Sequence, residues 1–98
     1  MKAKSPPRSR PGRAPIKQQD PFTLALAAVL RRQRVRRGLT EKKLAHRTHV
    51  SHSEISELEH GHYSPTVKTL GRLAPGLRCR VSTLLRRAEE AERRRRRR

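Results

Sequence analysis

The sequence predicts a small all-α domain of five helices between two disordered basic tails. Apolar residues recur at helical spacing through the middle of the chain. Residues that cap helices, such as Ser and Thr, precede several of these segments, and Gly follows two of them. With 98 residues, the chain has room for one such domain. We therefore predict a disordered, basic, Pro-rich arm at 1–21, a folded domain at 22–88 and a charged tail at 89–98.

The charge balance predicts a polyanionic partner. Lys and Arg number 26 against 8 Asp and Glu, which gives a formal net charge of +18. The excess is not confined to the tails, since residues 22–87 alone hold 14 Lys and Arg and four Asp and Glu. A chain of this kind favours nucleic acid first and an anionic membrane second. The arginine run at 93–98 favours phosphates without sequence preference, so it predicts added affinity rather than specificity.

Cysteine usage and hydropathy predict a cytoplasmic protein. The single Cys allows no internal disulfide and fits a reducing compartment. The longest apolar run, residues 24–30, is far too short to span a bilayer. The first residues carry positive charge but no long apolar region of a secretory signal. We expect no membrane partner. The Arg-rich, Ala-rich composition is typical of a protein from a GC-rich bacterial or phage genome, and the basic charge favours association with the nucleoid.

The first helix is expected from about residue 22 to 37, because one face of this segment is apolar and Gly38 follows it. Four apolar residues and one Gln fall on this face at helical spacing: Phe22, Leu26, Val29, Leu30 and Gln33. Arg34 lies beside this face, which is an unfavourable place for a charge. Glu59 has the same position beside the apolar residues of a later helix. We predict that the two residues pair, the alternative being two unrelated surface charges.

Residues 40–61 predict two short helices joined by a tight turn. Thr40 is the expected N-cap of the first helix. Ser51 and Glu54 have the spacing of a capping box at the start of the second, and Gly61 follows its last residue. The second helix spans only about two and a half turns, so its neighbours must hold it in place. This is the layout of a helix-turn-helix.

The segment from about residue 30 to 85 resembles the Cro/lambda-repressor-like (XRE-type) helix-turn-helix family. The residues that carry the resemblance keep the family's spacing without a gap: Arg34, Gly38-Leu39-Thr40, Leu44-Ala45, Val50-Ser51, Ile55-Ser56, Leu58-Glu59, Gly61, Pro65, Leu70, Leu73-Ala74, Leu77 and Leu84-Leu85. Three positions depart from the family pattern. His49 stands where the turn usually has Gly, Glu41 stands where a Gln often touches a phosphate, and Pro75-Gly76 interrupts the usual end of the fourth helix. His tolerates a positive φ better than most residues other than Gly.

The resemblance implies a sequence-specific DNA-binding regulator of transcription, with recognition helix 52–60 in the major groove of double-stranded DNA. It places the base-reading positions at Ser51, His52, Ser53, Ser56 and Glu57. Ser donates or accepts, His can donate to a purine N7, and Glu can accept from cytosine N4. The resemblance also implies an Arg34–Glu59 bridge between the first and third helices. A homodimer on two half-sites is implied as well, with its contact around the fifth helix.

Phosphate contacts are expected from residues that flank the two short helices. These residues are Arg36, Arg37, Thr40, Lys42, Lys43, Arg47, His62 and Tyr63. The backbone N–H groups at the start of the first short helix add an anion site. Glu41 stands at this helix start and would oppose an approaching phosphate.

The last two helices are expected to complete the core. Ser64-Pro65 should open the fourth helix, with Pro at its first position, and Pro75-Gly76 should end it. Its inward residues are expected to be Val67, Leu70, Leu73 and Ala74. Ser82 should cap the fifth helix, which returns two leucines to the core, Leu84 and Leu85. Cys79 is interpreted as a buried packing residue.

The sequence offers no catalytic constellation, so we expect no enzyme activity and no cofactor. All five histidines fall within residues 46–62, but a turn separates them and no ligand-spaced Cys or carboxylate accompanies them, so no metal is expected. Two other functions stay open: a non-specific nucleoid or architectural DNA-binding protein, and an antitoxin-like or co-regulator module that binds a protein partner through the face around Glu57. RNA binding is a weaker alternative, because aromatic residues for base stacking are scarce.

Overall fold

The computed structural model describes residues 13–15 and 20–97 of the chain. Its elements in order are β1 (Arg13–Pro15), α1 (Pro21–Arg36), α2 (Glu41–Thr48), α3 (His52–Glu59), β2 (Tyr63–Pro65), α4 (Val67–Leu77) and α5 (Val81–Arg96). The predicted all-α fold of five helices is confirmed, and a small two-stranded antiparallel sheet is added to it. The rest of the predicted N-terminal arm and the last residue lie outside the described residues.

One hydrophobic core joins the five helices. α1 packs along α5, α2 packs against α3 and α4, and α3 also contacts α1. The most deeply buried large side chains come from α2, α3, α4 and α5: Leu44, Ile55, Leu58, Leu77 and Leu84. Burying one such side chain contributes about 1.5–3 kcal/mol. Because α2 and α3 have only eight residues each, these tertiary contacts hold them in place, not their own helix propensity.

Asp20 and Pro21 define the start of α1. The Asp20 carboxylate accepts hydrogen bonds from the Thr23 N–H at 2.9 Å and from the Thr23 hydroxyl at 3.1 Å. Pro21 occupies the first turn, where a missing N–H costs nothing. The helix therefore begins one residue before the predicted bound.

A left-handed residue follows four of the helices, and three of these, α1, α3 and α4, end in the same kind of turn. Gly38, Gly61 and Arg78 have φ values of 71°, 74° and 57°. The N–H that follows each of them returns to a carbonyl five residues earlier, at 3.1, 2.9 and 3.1 Å. The sequence predicted that α1 and α3 end at Gly38 and Gly61. At the end of α4, Arg78 adopts this conformation although it is not a glycine.

The start of α4 differs from the prediction. Ser64 and Pro65 form the end of β2, because the residue before a proline favours extended backbone. Thr66 caps the helix instead, and its hydroxyl oxygen accepts from the Thr69 N–H at 3.1 Å. This shift turns Val67 outward, so its side chain is 80% exposed and does not enter the core as predicted.

The end of α4 also differs, because Pro75-Gly76 lies inside the helix and does not terminate it. Pro75 lacks the N–H that would bond to the Gly71 carbonyl, but both residues are exposed, so water can satisfy that carbonyl. Gly76 faces α2 at close range. A Cβ on Gly76 would lie 3.1 Å from Leu44 Cδ1 and would clash with Thr48 Cγ2. This glycine therefore allows α4 to cross α2 closely.

α5 begins at Val81 with Arg80 as an N-cap that makes no side-chain cap bond, so the predicted cap, Ser82, lies inside the first turn. The helix continues to Arg96, through most of the segment predicted as a disordered charged tail at 89–98. Ion pairs between residues four apart support this extension at 3.6 and 3.7 Å: Arg86–Glu90 and Glu92–Arg96.

β1 lies within the segment predicted to be a disordered arm, and the prediction is corrected at these three residues. Arg13 stands opposite Pro65, Ala14 opposite Ser64 and Pro15 opposite Tyr63. Pairing is possible because β2 offers an extended edge. Each proline occupies the last position of its strand, where a missing N–H interrupts pairing least.

Candidate nucleic-acid interface

α2 and α3 form the predicted helix-turn-helix, and the caps at their starts have the expected geometry. The Thr40 hydroxyl oxygen accepts from the Lys43 N–H at 3.0 Å, and the Ser51 hydroxyl oxygen accepts from the Glu54 N–H at 3.1 Å. His49 adopts the left-handed conformation, with φ 60° and ψ 24°, and so performs the role usual for Gly. The turn therefore brings the starts of both helices to one side of the domain.

A bidentate ion pair fixes α3 on α1. Arg34 Nε and Nη2 donate to the two Glu59 carboxylate oxygens at 2.7 and 2.9 Å. Arg34 Nη1 donates to the Leu39 carbonyl at 2.8 Å. The side chains of Arg34 and Glu59 are only 12% and 3% exposed. The hydrogen bond to Glu59 is the main cause that raises the pKa of Arg34 above its ordinary value, and burial opposes it.

The predicted base-reading residues divide into two groups by exposure. Ser51, His52 and Ser53 are exposed at the start of α3. Ser56 and Glu57 are half-buried one turn further along. The structure therefore brings all five to the same short helix and its cap. The first three present side chains on the side that enters a groove in proteins of this layout.

A contact between α2 and α3 was not predicted from the sequence. His52 Nε2 lies 3.1 Å from a carboxylate oxygen of Glu41, across the turn. A carboxylate only accepts, so Nε2 must carry the proton in this bond. In the neutral ring, Nδ1 is then the acceptor. The one sequence signal for this contact is that each residue holds the first position of its helix.

α2 carries the predicted phosphate contacts that lie next to α3. Lys42, Lys43 and Arg47 are exposed and line a surface groove of about 570 Å³ together with His46. His46 was not predicted to belong to this group. Residues four apart on a helix lie one turn apart on the same face, so these side chains give α2 a continuous cationic surface.

Arg36 and Arg37 lie elsewhere. Arg36 lines a pocket between α1 and α5. Arg37 Nε and Nη2 are each 3.4 Å from carbonyl oxygens at the end of α4, those of Leu77 and Arg78. Arg36 thus lies beside α5 and Arg37 beside the end of α4, and neither lines the groove of Lys42 and Lys43.

The loop after α3 holds the two remaining predicted phosphate contacts. His62 is exposed, and its ring centroid is 5.7 Å from that of His60. Tyr63 lies in β2 and packs partly against the core, so it supports the sheet as well as the surface. Within residues 20–97, no three His, Cys, Asp or Glu side chains gather into a group that could hold a metal. No helix of the described chain is both long and apolar enough to cross a membrane.

Comparison with known proteins agrees with this geometry. The profile of the family described as Helix-turn-helix (HTH_3) matches residues 30–84. The crystal structure of the clp gene regulator ClgR from Corynebacterium glutamicum is similar at 31% identity, covers 71% of this chain and 91% of that chain, and has a TM-score of 0.67. No curated protein matches by sequence.

Two further solved structures share the fold. An HTH_3 family transcriptional regulator from Vibrio cholerae is 35% identical, with a TM-score of 0.62, over 64% of this chain and 35% of that chain. The restriction-modification controller protein C.AhdI from Aeromonas hydrophila has a TM-score of 0.62 at 22% identity, over 63% of this chain and 94% of that chain. The family profile spans more than half of this sequence, and the chain therefore belongs to the HTH_3 helix-turn-helix family and is a DNA-binding transcriptional regulator.

Proposed function

We propose that this regulator recognises a specific duplex sequence with the start of α3 in the major groove. The observation that carries the proposal is the exposed group Ser51, His52 and Ser53 on a helix that is held at both ends. The Ser51 cap fixes the start of α3, and the Arg34–Glu59 pair fixes its end. Side chains on a helix fixed in this way can reach base edges in a defined register.

The cationic surface of α2 supplies the phosphate contacts in this proposal. Lys42, Lys43 and Arg47 lie on the helix that precedes the recognition helix and point to solvent. Phosphate contacts position a protein on the duplex and carry no sequence information directly. Changes at these residues should therefore weaken binding to all sequences to a similar degree.

Glu41 gives His52 a defined role in base recognition. Because the bond to Glu41 requires the proton on Nε2, a neutral His52 presents Nδ1 as an acceptor. In the major groove, the matching donors are the amino groups of adenine N6 and cytosine N4. This differs from the donation to a purine N7 that the sequence suggested. Replacing Glu41 should release the ring and change the base preference at the position that His52 contacts.

Selection from a random duplex library tests this function. The full chain is selected at two salt concentrations, in parallel with His52→Ala and with His60→Ala as the matched control at the other end of α3. We expect one enriched motif for the wild type and for His60→Ala, and a loss of preference at one position for His52→Ala. Binding without any enriched motif would contradict base reading by α3.

Binding without an enriched motif would instead support the second function, that of a non-specific nucleoid or architectural DNA-binding protein. The exposed arginines at the end of α5, residues 93–97, favour it, because they add phosphate affinity without base contacts. Glu57→Arg tests the third possible function, in which a protein partner binds the face of α3 around Glu57. If a protein partner binds there, the variant should lose the protein complex and gain non-specific DNA affinity. If Glu57 reads a base, the variant should lose only its preference for the selected DNA site.

The homodimer implied by family resemblance is part of this proposal. A palindromic motif would require two chains whose α3 helices lie about one DNA turn, roughly 34 Å, apart. Leu84 and Ala88 of α5 are fully buried within one chain. An α5 contact between two chains must therefore use other residues of that helix. Sedimentation equilibrium with and without the selected duplex measures the stoichiometry.

We expect this regulator to act on DNA in the cytoplasm.

A further inference from the structure

A pocket of about 190 Å³ lies between α1 and α5 and has no part in the proposed reading surface. It is lined by Val29, Arg32, Gln33, Arg36 and Arg87. Three of these five residues are arginines and none is acidic. We propose that this α1–α5 arginine pocket is a second anion site, which binds a phosphate or pyrophosphate group.

The floor of the pocket is built and rigid. Gln33 is only 5% exposed, and its Nε2 donates to the Leu77 carbonyl at 2.9 Å. Its Oε1 accepts from Arg87 Nη1 at 2.9 Å. Both ends of the Gln33 amide are therefore used, and they hold the half-buried Arg87 guanidinium at the pocket. Since a guanidinium has five N–H donors, the others can serve a ligand.

The charges of the pocket are not balanced by acids of the described chain. Within residues 20–97, neither Arg32 nor Arg36 forms an ion pair with an acidic side chain. Glu90, one turn along α5 from Arg87, pairs with Arg86 at 3.6 Å. Three guanidinium groups around one concave surface repel each other and concentrate positive potential there. An oxyanion with two or more charges removes this repulsion.

Size and donor type identify the ligand class. Arginine binds phosphate and carboxylate oxygens through paired, charge-assisted hydrogen bonds. Of these two groups, phosphate carries the higher charge, which suits a pocket with three arginines. Sites for drug-sized molecules occupy about 300–1,000 Å³, and this pocket holds only about 190 Å³. It therefore accommodates a phosphate or pyrophosphate group, with the rest of any larger molecule left outside.

The pocket lies across α1 from the recognition helix. Arg36 and Arg34 are two residues apart, so about 160° separates their directions around the helix axis. Arg32 lies between the two sides, since it also lines a groove with Glu59 and His60 at the end of α3. Arg34 faces α3 through Glu59, whereas α5 packs on α1 and α4. Phosphates of a duplex read by α3 thus lie on another side of the domain. The phosphate in the pocket comes either from a free phosphorylated compound or from the backbone of a second duplex.

Calorimetric titration of the full chain with pyrophosphate, without DNA and at fixed ionic strength, tests the site. The variant Arg32→Gln/Arg36→Gln removes two donors from the pocket. Arg31→Gln is the matched control, since Arg31 is an exposed arginine of α1 that does not line the pocket. We expect the double variant to lose at least about tenfold in affinity, because each charged hydrogen bond is worth more than the 1.4 kcal/mol of a tenfold change. The control should change less than about twofold.

A second readout separates local binding from general ionic effects. Pyrophosphate should shift the side-chain amide NMR signals of Gln33 in the wild type and in Arg31→Gln, but not in the double variant. Circular dichroism establishes that the variants are folded. Equal affinity of wild type and double variant, an equal loss in the control, or the same response to sodium chloride at matched ionic strength would each overturn the proposal.

The source of the phosphate is resolved by repeating the titration with a saturating duplex of 20 base pairs. Unchanged pyrophosphate affinity indicates a free ligand at a separate site. Binding of a second duplex that is lost in Arg32→Gln/Arg36→Gln indicates the DNA backbone. Displacement of pyrophosphate by the first duplex would contradict a separate site. Because the first titration contains no DNA, its failure leaves the proposed base reading by α3 untouched.

Discussion

Arg34 connects three parts of the domain through one side chain. Its guanidinium donates to both carboxylate oxygens of Glu59 on α3 and to the Leu39 carbonyl in the loop before α2. A planar group with donors on several sides suits this task, whereas a lysine has a single charged point. The orientation of the recognition helix thus depends on one residue of α1.

Removing the partner of Arg34 should be costly. In Glu59→Gln, the guanidinium stays at 12% exposure without a counter-charge, and breaking a buried pair costs about 3–5 kcal/mol. Urea denaturation, monitored by circular dichroism, measures this decrease in the free energy of unfolding. Glu90→Gln breaks the exposed pair with Arg86 and should cost less than about 1 kcal/mol. Similar losses in both variants would contradict a special role for the Arg34–Glu59 pair.

His49 carries a conformational cost that glycine would remove. At φ 60°, a residue with a Cβ is strained, and we expect His49→Gly to raise the free energy of unfolding by about 0.5–1 kcal/mol. His46→Gly is the control, because His46 lies within α2, where Gly costs about 1 kcal/mol. The two substitutions should move the thermal midpoint in opposite directions. A decrease for both would indicate that the His49 side chain makes a stabilising contact.

Cys79 should react slowly with alkylating reagents in the folded protein. Burial raises the pKa of its thiol, and the nearby charges of Arg87 and Arg37 oppose the shift without cancelling it. Iodoacetamide attacks the thiolate, so alkylation should be slower in buffer than in urea at the same pH. A raised pKa means that the folded state keeps this proton to a higher pH than the unfolded state does. Stability should therefore fall as pH rises between the two pKa values, and Cys79→Ser should lack that contribution.

The two glycines within α4 have opposite roles at the scale of the element. Gly76 lies where α4 crosses α2, and a Cβ there would meet Leu44 Cδ1 and Thr48 Cγ2. Gly76→Ala should destabilise the fold by about 1–3 kcal/mol through overpacking. A Cβ on Gly71 would meet no neighbouring group within 4 Å, so Gly71→Ala should stabilise by up to about 1 kcal/mol through helix propensity. Thermal unfolding of both variants checks this pair, and stabilisation by Gly76→Ala would show that the helices can separate without cost.

Helix boundaries could be predicted from the sequence where a local signal acts alone. Thr40, Ser51 and Gly61 are such signals, and each acts within its own helix end. At the start of α4, both Ser64 and Thr66 could act as the N-cap. The residue before Pro65 favours extended backbone, so the helix begins later and Thr66 is its cap. β1 and its pairing with β2 could not be predicted, because that contact joins residues about 50 positions apart along the chain.

The same distinction applies to the candidate site. The exposed start of α3 follows from the cap and the inward-facing apolar residues, so the exposure of Ser51, His52 and Ser53 could be predicted from the sequence. Base reading by these residues stays a prediction. The bond between Glu41 and His52 depends on the angle between two helices. The separation of Arg36 from Lys42 depends on which side of α1 packs against α5. Both are properties of the assembled core, and no local pattern encodes them.

At the scale of the whole molecule, two separate surfaces of the described chain carry several positive charges each. One lies on α2 and includes Lys42, Lys43 and Arg47. The other lies across α1 and consists of the α1–α5 arginine pocket and the arginine-rich end of α5. A net charge of +18 alone could not distinguish one basic surface from two. Under the two proposals, the first surface contacts the duplex that α3 reads, and the second binds a different phosphate group.

Salt dependence of DNA binding can separate these surfaces. Each phosphate contact contributes about 0.9 to the slope of log affinity against log salt concentration. The triple variant Lys42→Gln/Lys43→Gln/Arg47→Gln should therefore lower that slope by about 2.7 while leaving the selected motif unchanged. Arg86→Gln is the control on α5, which packs on α1 and α4, and it should leave the slope for the selected duplex nearly unchanged. Fluorescence anisotropy with that duplex over a series of salt concentrations measures both slopes. If Arg86→Gln lowered the slope as much per charge as the triple variant, the duplex would contact α5 as well as α2. An unchanged slope in the triple variant would show that the assignment of the α2 surface to phosphate binding is wrong.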